Sequence, residues 1–404
     1  MSIKSILNIG IVMAFLSCHN EDTGYSGNWR AELYLQNDTL PFNFILEDSV
    51  DLKLSLVNGD EKILVEEVLI ERDSIIASMH IFDTELRAKI IGNTMSGVFE
   101  KKYSQGYVLP FTAQKGPKYR FSDNPKSNLN IDGKWAVQFE SELEDSTLAI
   151  GEFVQDGSLV EGTFLTLTGD YRFLEGEINT DELKLSCFDG EHAFLFKARL
   201  DENDQLKGYF KSGLSWNETW TAHRDDSIEL KDAYQLTYLK EGYDSIYFAF
   251  PDMNGDTVVF PNPLYEGKVV LVQIFGTWCP NCMDETKFLA NWYKKNKDRG
   301  LEILAVAFER KNDLDYAAER VQKVKDKLGA DYKFLFGGPS DKQAASEAFP
   351  MLNQVMSFPT LIFIDRKGNV RKIHTGFSGP GTGMYYKKFL EEFEILSEEL
   401  LGEK

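Results

Sequence analysis

Cysteine is scarce in this chain: four in 404 residues, at Cys18, Cys187, Cys279 and Cys282. That count excludes a disulfide-stapled scaffold, which replaces a missing core with many bridges. The five histidines are scattered singly, so the local ligand spacing of a structural zinc site is missing and no metal is expected. Positive charge also runs short, with 44 Lys and Arg against 64 Asp and Glu and a net charge of −20. Nucleic-acid binding, which needs a basic footprint to displace counterions, is therefore not expected. No apolar run reaches the roughly 20 residues that a transmembrane helix needs. What remains is an ordinary globular balance, 43% hydrophobic and 27% charged, in a length that suggests two or three domains. The acidity is uneven: residues 1–246 hold 23 basic and 42 acidic side chains, and residues 247–404 hold 21 and 22. Such an asymmetry suggests parts with different jobs.

The first 17 residues combine Lys4, a short apolar run over residues 6–16 and the small residue Ser17, the pattern of a secretory signal. Phe15-Leu16-Ser17-Cys18 resembles the bacterial lipoprotein box, in which the cysteine becomes the lipidated first residue. Phe15 departs from the aliphatic residue usual at that place, and plain signal cleavage is the alternative. Residues 18–26 read as a tether. The mature protein is thus expected in the cell envelope of a bacterium, lipid-anchored to a membrane and facing the periplasm or the outer surface.

Residues 27–224 show strand grammar, with alternation such as Leu52, Leu54 and Leu56 and turns rich in Gly, Asp and Asn. The stretch repeats. Gly27 and Trp29 recur as Gly133 and Trp135, Gly97-x-Phe99 as Gly208-x-Phe210, and Thr112-Ala113 as Thr221-Ala222. We expect two β-rich repeats, 27–117 and 130–224, each an antiparallel sandwich or barrel, then a linker over 225–246 acting as a hinge. Nothing in the repeats names a family or a ligand.

Beyond residue 247 strands alternate with helices. Residues 268–275 form a near-continuous apolar run, as in a strand buried on both faces. A helical pattern follows and stops at Gly300. A second buried strand, an amphipathic helix ending at Gly329, a third strand and a helix opened by a Ser340-x-x-Gln343 capping box come next. A hairpin across residues 366–369 and a last helix complete an α/β layer with a mixed sheet. The multi-domain expectation is therefore an all-β duplicated region followed by an α/β domain over 247–404.

Trp278-Cys279-Pro280-Asn281-Cys282 stands where the buried strand passes into the helix. At a helix start, unpaired amides and the macrodipole favour a thiolate on the first cysteine, and the second lies within attacking reach of a mixed disulfide. Pro280 suits an early helical position. A merely structural disulfide is less suited, because so short a loop stabilises little. Cys187, on the apolar face of a strand pattern, reads as an inert core thiol.

With Gly276-Thr277-Trp278-Cys279-Pro280-Asn281-Cys282, Phe358-Pro359-Thr360 and Phe363-Ile364-Asp365-Arg366-Lys367-Gly368 together, residues 247–404 resemble the thioredoxin fold. Within it they look like the envelope TlpA/ResA-like thiol–disulfide oxidoreductases. The resemblance implies that Cys279 attacks, that Cys282 resolves, and that a cis Pro359, with Trp278, Pro280 and Phe358, shapes the substrate groove. It also points to Glu285, three residues past Cys282, as a catalytic acid, with Glu309 a further candidate. Gln273 stands where thioredoxin carries a buried aspartate, so that relay is absent.

The implied enzyme reduces or isomerises disulfides of envelope proteins, needs no cofactor beyond a Cys279–Cys282 disulfide, and exchanges electrons with a membrane redox partner. Two other readings stay open. One is a peroxiredoxin-like peroxidase, although the P-x-x-x-T-x-x-C pattern finds Val272 and Gly276 in its first two defining places. The other is an envelope binding lipoprotein whose repeats capture a partner. Since one acyl chain binds only marginally, anchoring at Cys18 implies several chains. Cys18→Ser should accordingly move the protein into the soluble envelope fraction, and full retention on membranes after fractionation would show another anchor.

Overall fold

A computed structural model describes residues 24–48, 51–140 and 146–403. Cys18 and the signal segment lie outside these residues.

The first nine strands, between Gly27 and Lys115, form one antiparallel sheet. Its first strand, Gly27–Leu35, buries Trp29, Ala31, Leu33 and Leu35 in strict alternation, the period that puts one face of a strand on a core. That strand pairs with both Asp38–Asp48 and the last strand, Val108–Lys115. The sheet curls without closing, because its edges, Glu61–Leu64 and Glu67–Glu71, share no ladder. It is a half-barrel.

The second sheet, between Gly133 and Arg224, does close. Thr147–Asp156 pairs with Gly133–Glu140 on one side and with Leu159–Thr166 on the other. Closure removes both edges, and the interior is filled by rings, among them Phe164 and Phe196 at 4.5 Å and Phe196 and Phe210 at 4.3 Å.

The two sheets share a register. Ala31 faces Ala113 in the first, and Val137 faces Ala222 in the second. Trp29 and Trp135 are both fully buried, and each indole donates to the carbonyl four residues earlier, Tyr25 and Ile131, at 2.9 Å. Equivalent residues making equivalent bonds are what a duplication leaves behind. The open sheet covers its apolar face with the outside of the closed one: Phe188 packs 4.5 Å from Phe42 and 5.0 Å from Phe99.

The C-terminal part holds a five-stranded mixed sheet. Lys333–Pro339, Leu301–Glu309 and the central Val269–Phe275 are parallel, and Thr360–Ile364 and Val370–Thr375 continue it antiparallel. Every residue of Val269–Phe275 is buried, consistent with its unbroken apolar run. Four helices accompany the sheet: α1 (Pro280–Asn296), α2 (Leu314–Leu328), α3 (Lys342–Ala348) and α4 (Met384–Gly402). This is the α/β arrangement that the thioredoxin resemblance implies.

Two local expectations are corrected. The cap of α3 is Asp341 rather than Ser340: its carboxylate accepts from the Ala344 amide at 2.7 Å. A carboxylate at the N-cap is favoured by the helix dipole. The segment 225–246 is not a loose hinge. Leu236 and Thr237 are buried, the Thr375 and Thr237 hydroxyls bond at 2.7 Å, and the Lys240 amide donates to the Met351 carbonyl at 2.8 Å. The charged residues of the segment face water while its few apolar ones lock onto the α/β domain.

One buried cation joins all three bodies. Arg172, in the closed barrel, pairs with Asp284 on α1, with Glu61 of the half-barrel at 2.8 Å and with Asp189 of its own barrel at 3.7 Å. Burial alone would lower the Arg172 pKa, but its acidic neighbours overcome this and hold it well above the usual value. Burial pushes Glu61 up to about 7 against the pull of the same guanidinium. Removing one member of a buried ionic cluster strands the others and typically costs about 3–5 kcal/mol. Arg172→Met should therefore loosen the α/β domain from the barrels. The expected signature is a split melting transition with faster proteolysis between residues 225 and 246. A single unchanged transition would show that the bodies hold together without it.

Candidate functional site

Cys279 is the N-cap of α1, and Pro280 fills the first helical position, where its missing amide hydrogen costs nothing. The Cys282 amide donates to the Cys279 sulfur at 3.2 Å. Both cysteines are free thiols in this structure. Cys279 keeps 8% of its surface exposed whereas Cys282 keeps none, so only the first can meet a substrate. Burial, then the neighbouring Cys279 and the Glu285 carboxyl, push the Cys282 thiol well above its ordinary value.

The Phe358–Pro359 bond is cis and lies opposite the motif, with the Cys279 sulfur 3.6 Å from the Phe358 carbonyl. Trp278 and Phe358 meet edge to face at 5.7 Å, and the indole donates to the Phe308 carbonyl at 2.9 Å. The structure thus brings Trp278, Cys279, Pro280, Cys282, Phe358 and Pro359 into one place.

Glu285 does not point to solvent. It is fully buried, and Gln273, on the central strand, donates to its Oε2 at 2.8 Å while Oε1 has no hydrogen-bond partner. Burial pushes its pKa up to about 8, against the Gln273 bond, which lowers it. Residues three apart share a helix face, so Glu285 lies on the Cys282 side of α1. Glu309 is also buried and accepts from the Thr277 amide and hydroxyl, each at 2.9 Å, which fixes the turn entering the motif. Burial pushes it up to about 7. Cys187 is buried in the barrel core with its thiol pushed well up by burial.

The cleft over Cys279 encloses about 240 Å³. One wall is the motif itself. The other, unforeseen, comes from the closed barrel: Thr166, Thr168, Tyr171, His192 and Phe194. Arg310 of the redoxin domain links the cleft to the half-barrel, stacked 3.5 Å over Tyr103 of that sheet and 5.5 Å from the Trp278 ring.

A family model described as Redoxin matches residues 245–386. The chain is similar to the thiol–disulfide oxidoreductase ResA of Bacillus subtilis, 29% identical over 138 residues, covering 34% of this chain and 69% of that protein. It is likewise similar to ResA of Halalkalibacterium halodurans, 26% identical over 160 residues, covering 40% of this chain and 79% of that one. Residues 245–386 are a redoxin domain of the ResA-like kind. Among solved structures, a putative thiol:disulfide interchange protein DsbE from Chlorobium tepidum matches 41% of this chain and 100% of its own, at 25% identity and a TM-score of 0.31. The redoxin domain has the pair of thiols that thiol–disulfide exchange, the activity for which ResA is named, requires.

Sequence reasoning missed the barrel wall and the Gln273–Glu285 pair. Gln273 lay in plain sight, flanked by apolar residues in a buried strand, where a polar side chain must find a partner. The wall had no such signal, because its residues lie more than 80 positions from Cys279.

A raised carboxyl pKa means that the fold holds the proton. Glu285 therefore adds stability that is complete below its unfolded value of 4.5 and is lost as pH rises through about 8. Glu285→Gln, neutral at every pH, should remove only part of the decline in melting temperature between about pH 5 and 8, because Glu61 and Glu309 still titrate there. The Cys282 thiol of the variant should also lose its proton at a lower pH than in the wild type, read by ultraviolet thiolate absorbance, since a nearby negative charge is gone. Superimposable stability curves would show that the carboxyl is already charged in the fold.

Proposed function

We propose that this protein is an extracytoplasmic enzyme, lipid-anchored through Cys18, that reduces or isomerises disulfides in the cell envelope through its Cys279-Pro280-Asn281-Cys282 motif. The observation that carries the reading is the division between the two thiols, one keeping 8% of its surface open at a helix start and the other fully enclosed one turn on. In the reductive direction the Cys279 thiolate attacks one sulfur of a substrate disulfide, forming a mixed disulfide and expelling the other sulfur as a thiolate. Cys282 then gives up its proton and attacks the Cys279 sulfur. The second substrate thiol leaves, and the enzyme keeps a Cys279–Cys282 disulfide. Glu285 takes the Cys282 proton in this step when its carboxyl is ionised, a fraction that a pKa of about 8 makes small at neutrality and that grows as pH rises. A membrane dithiol partner returns the pair to the reduced state.

Envelope location rests on the amino-terminal signal pattern. Among the described residues no helix is long and apolar enough to cross a membrane. Reduction or isomerisation is favoured over oxidation because Pro280 and Asn281 place no cation inside the motif to stabilise a thiolate.

The test is a trap. Cys282→Ser keeps the backbone amide on the Cys279 sulfur but removes the resolving thiol, which in the intact motif acts at high effective concentration. Reductant-sensitive covalent adducts should accumulate with Cys282→Ser and be scarce with Cys279→Ser, read on non-reducing gels. Equal trapping by both variants would erase the division of roles. Trapping by neither, while the wild type reduces a test disulfide, would place the chemistry elsewhere.

A further inference from the structure

The closed barrel does more than lean on the redoxin domain; it builds half of the space in which Cys279 reacts. Its segment 166–172 is fastened at four points around the motif. Ser357, two residues before Pro359, donates its hydroxyl to the Thr168 carbonyl at 2.7 Å. Asn281, inside the motif, donates to the Asp170 carbonyl at 3.3 Å. The Gly379 amide donates to the Asp170 carboxylate at 2.7 Å, and Arg172 pairs with Asp284. Backbone meets backbone here. A Cβ on Gly376 would sit 3.0 Å from the Leu167 carbonyl oxygen, and at Gly169 the backbone meets a side chain instead, where a Cβ would sit 2.5 Å from Asn281 Nδ2. The turn is thus seated closely against the redoxin domain on either side of the reactive sulfur.

Two consequences follow for a substrate. The face of the Ser357–Pro359 segment that holds Thr168 is already taken, so an incoming chain cannot lie flat across it. The remaining cleft, about 240 Å³, falls below the roughly 300–1,000 Å³ of pockets that take drug-sized ligands. Its barrel side is aromatic, with His192 stacked on Phe194 at 4.4 Å and Tyr171 5.3 Å from Phe194.

We infer that the barrel is part of the substrate site and limits the enzyme to disulfides carried on slender groups, either a low-molecular-weight disulfide or an open, unfolded peptide segment, and excludes disulfides on folded surfaces. This rests on the oxidoreductase reading above and deepens it. The chemistry is the exchange already written, with the reduced Cys279–Cys282 pair supplying both electrons in a single turnover; the substrate disulfide becomes two thiols and the motif becomes a disulfide.

The experiment uses the full described chain, reduced and freed of reductant, mixed in stopped flow with each of three probes. These are oxidised glutathione, a linear peptide with one intramolecular disulfide, and native insulin. Wild type should react with at least one of the first two no less than about tenfold faster than with insulin, within the range that pocket contacts alone discriminate. Which of the two is faster separates a small-molecule substrate from an unfolded chain. Phe194→Ala, which widens the barrel wall, should raise the insulin-to-peptide rate ratio by about tenfold. Thr168→Trp, which narrows the cleft from a half-buried turn, should slow the peptide by about tenfold while iodoacetamide still alkylates Cys279. Circular dichroism and that alkylation rate confirm that each variant is folded with its thiol reachable; if Phe194→Ala is not, Thr168→Trp decides. Insulin reacting as fast as peptide in wild type, or unchanged ratios in the folded variants, overturns the wall. Failure of all three probes in wild type, with Cys279 still alkylated, overturns the oxidoreductase reading instead.

Discussion

A guanidinium with almost no access to water sets the geometry of this molecule. Arg172 cannot shed its charge, so burial must be matched by acids within reach, and those acids come from three separate bodies: Asp189 from its own barrel, Glu61 from the half-barrel and Asp284 from the helix that carries the two cysteines. A buried charge of this kind is weak as a source of net stability, because desolvation consumes most of the attraction. Its strength is in penalising every other arrangement, since any relative shift of the bodies leaves a charge uncompensated in an apolar setting. Asp284 lies two residues past Cys282, so the same pairing that orients the bodies also fixes the start of α1 against the barrel.

A second junction repeats the logic nearby. Glu191 of the closed barrel accepts from Lys101 at 2.8 Å and Tyr103 at 2.7 Å in the half-barrel, and from Arg310 at 2.7 Å in the redoxin domain. Arg310 in turn lies between the Tyr103 and Trp278 rings. Between them the two junctions bracket the active-site cleft. The reactive thiol is held at a place where three bodies meet, the setting in which ligand sites commonly form.

Inside the redoxin domain the acids are handled differently. Glu285 and Glu309 have no cation in hydrogen-bond contact; amide, hydroxyl and carboxamide donors meet them, and burial holds both near neutrality. Around Arg172 the acids differ: Asp189 is a fixed counter-charge, held below the usual carboxylate range once His192 and Arg172 overcome its burial, whereas burial pushes Glu61 up to about 7. A fixed charge and a titrating acid thus share the junction between the bodies, while two titrating acids sit beside the chemistry. Environment, not residue type, separates the two roles.

The sequence by itself determined everything that depends on near neighbours along the chain. The unbroken apolar run at residues 268–275, Pro280 after Cys279, the C-terminal glycines at 300 and 329, and the repeated Gly-x-Trp and Gly-x-Phe pairs state local structure, because period, caps and turns are decided within a few residues. The redoxin domain and the thiol pair were legible for that reason, and the doubling of the β region nearly so. Tertiary structure alone decided which repeat closes and which stays open, since closure turns on whether two edge strands far apart in sequence reach one another. It alone made Glu285 a buried partner of Gln273, because helix periodicity leaves open what packs on each face. It alone brought Thr168 and Phe194 to Cys279. Those contacts join segments more than 80 residues apart through ion pairs and backbone bonds, and no local pattern encodes a meeting whose cause lies in the docking of three already folded bodies.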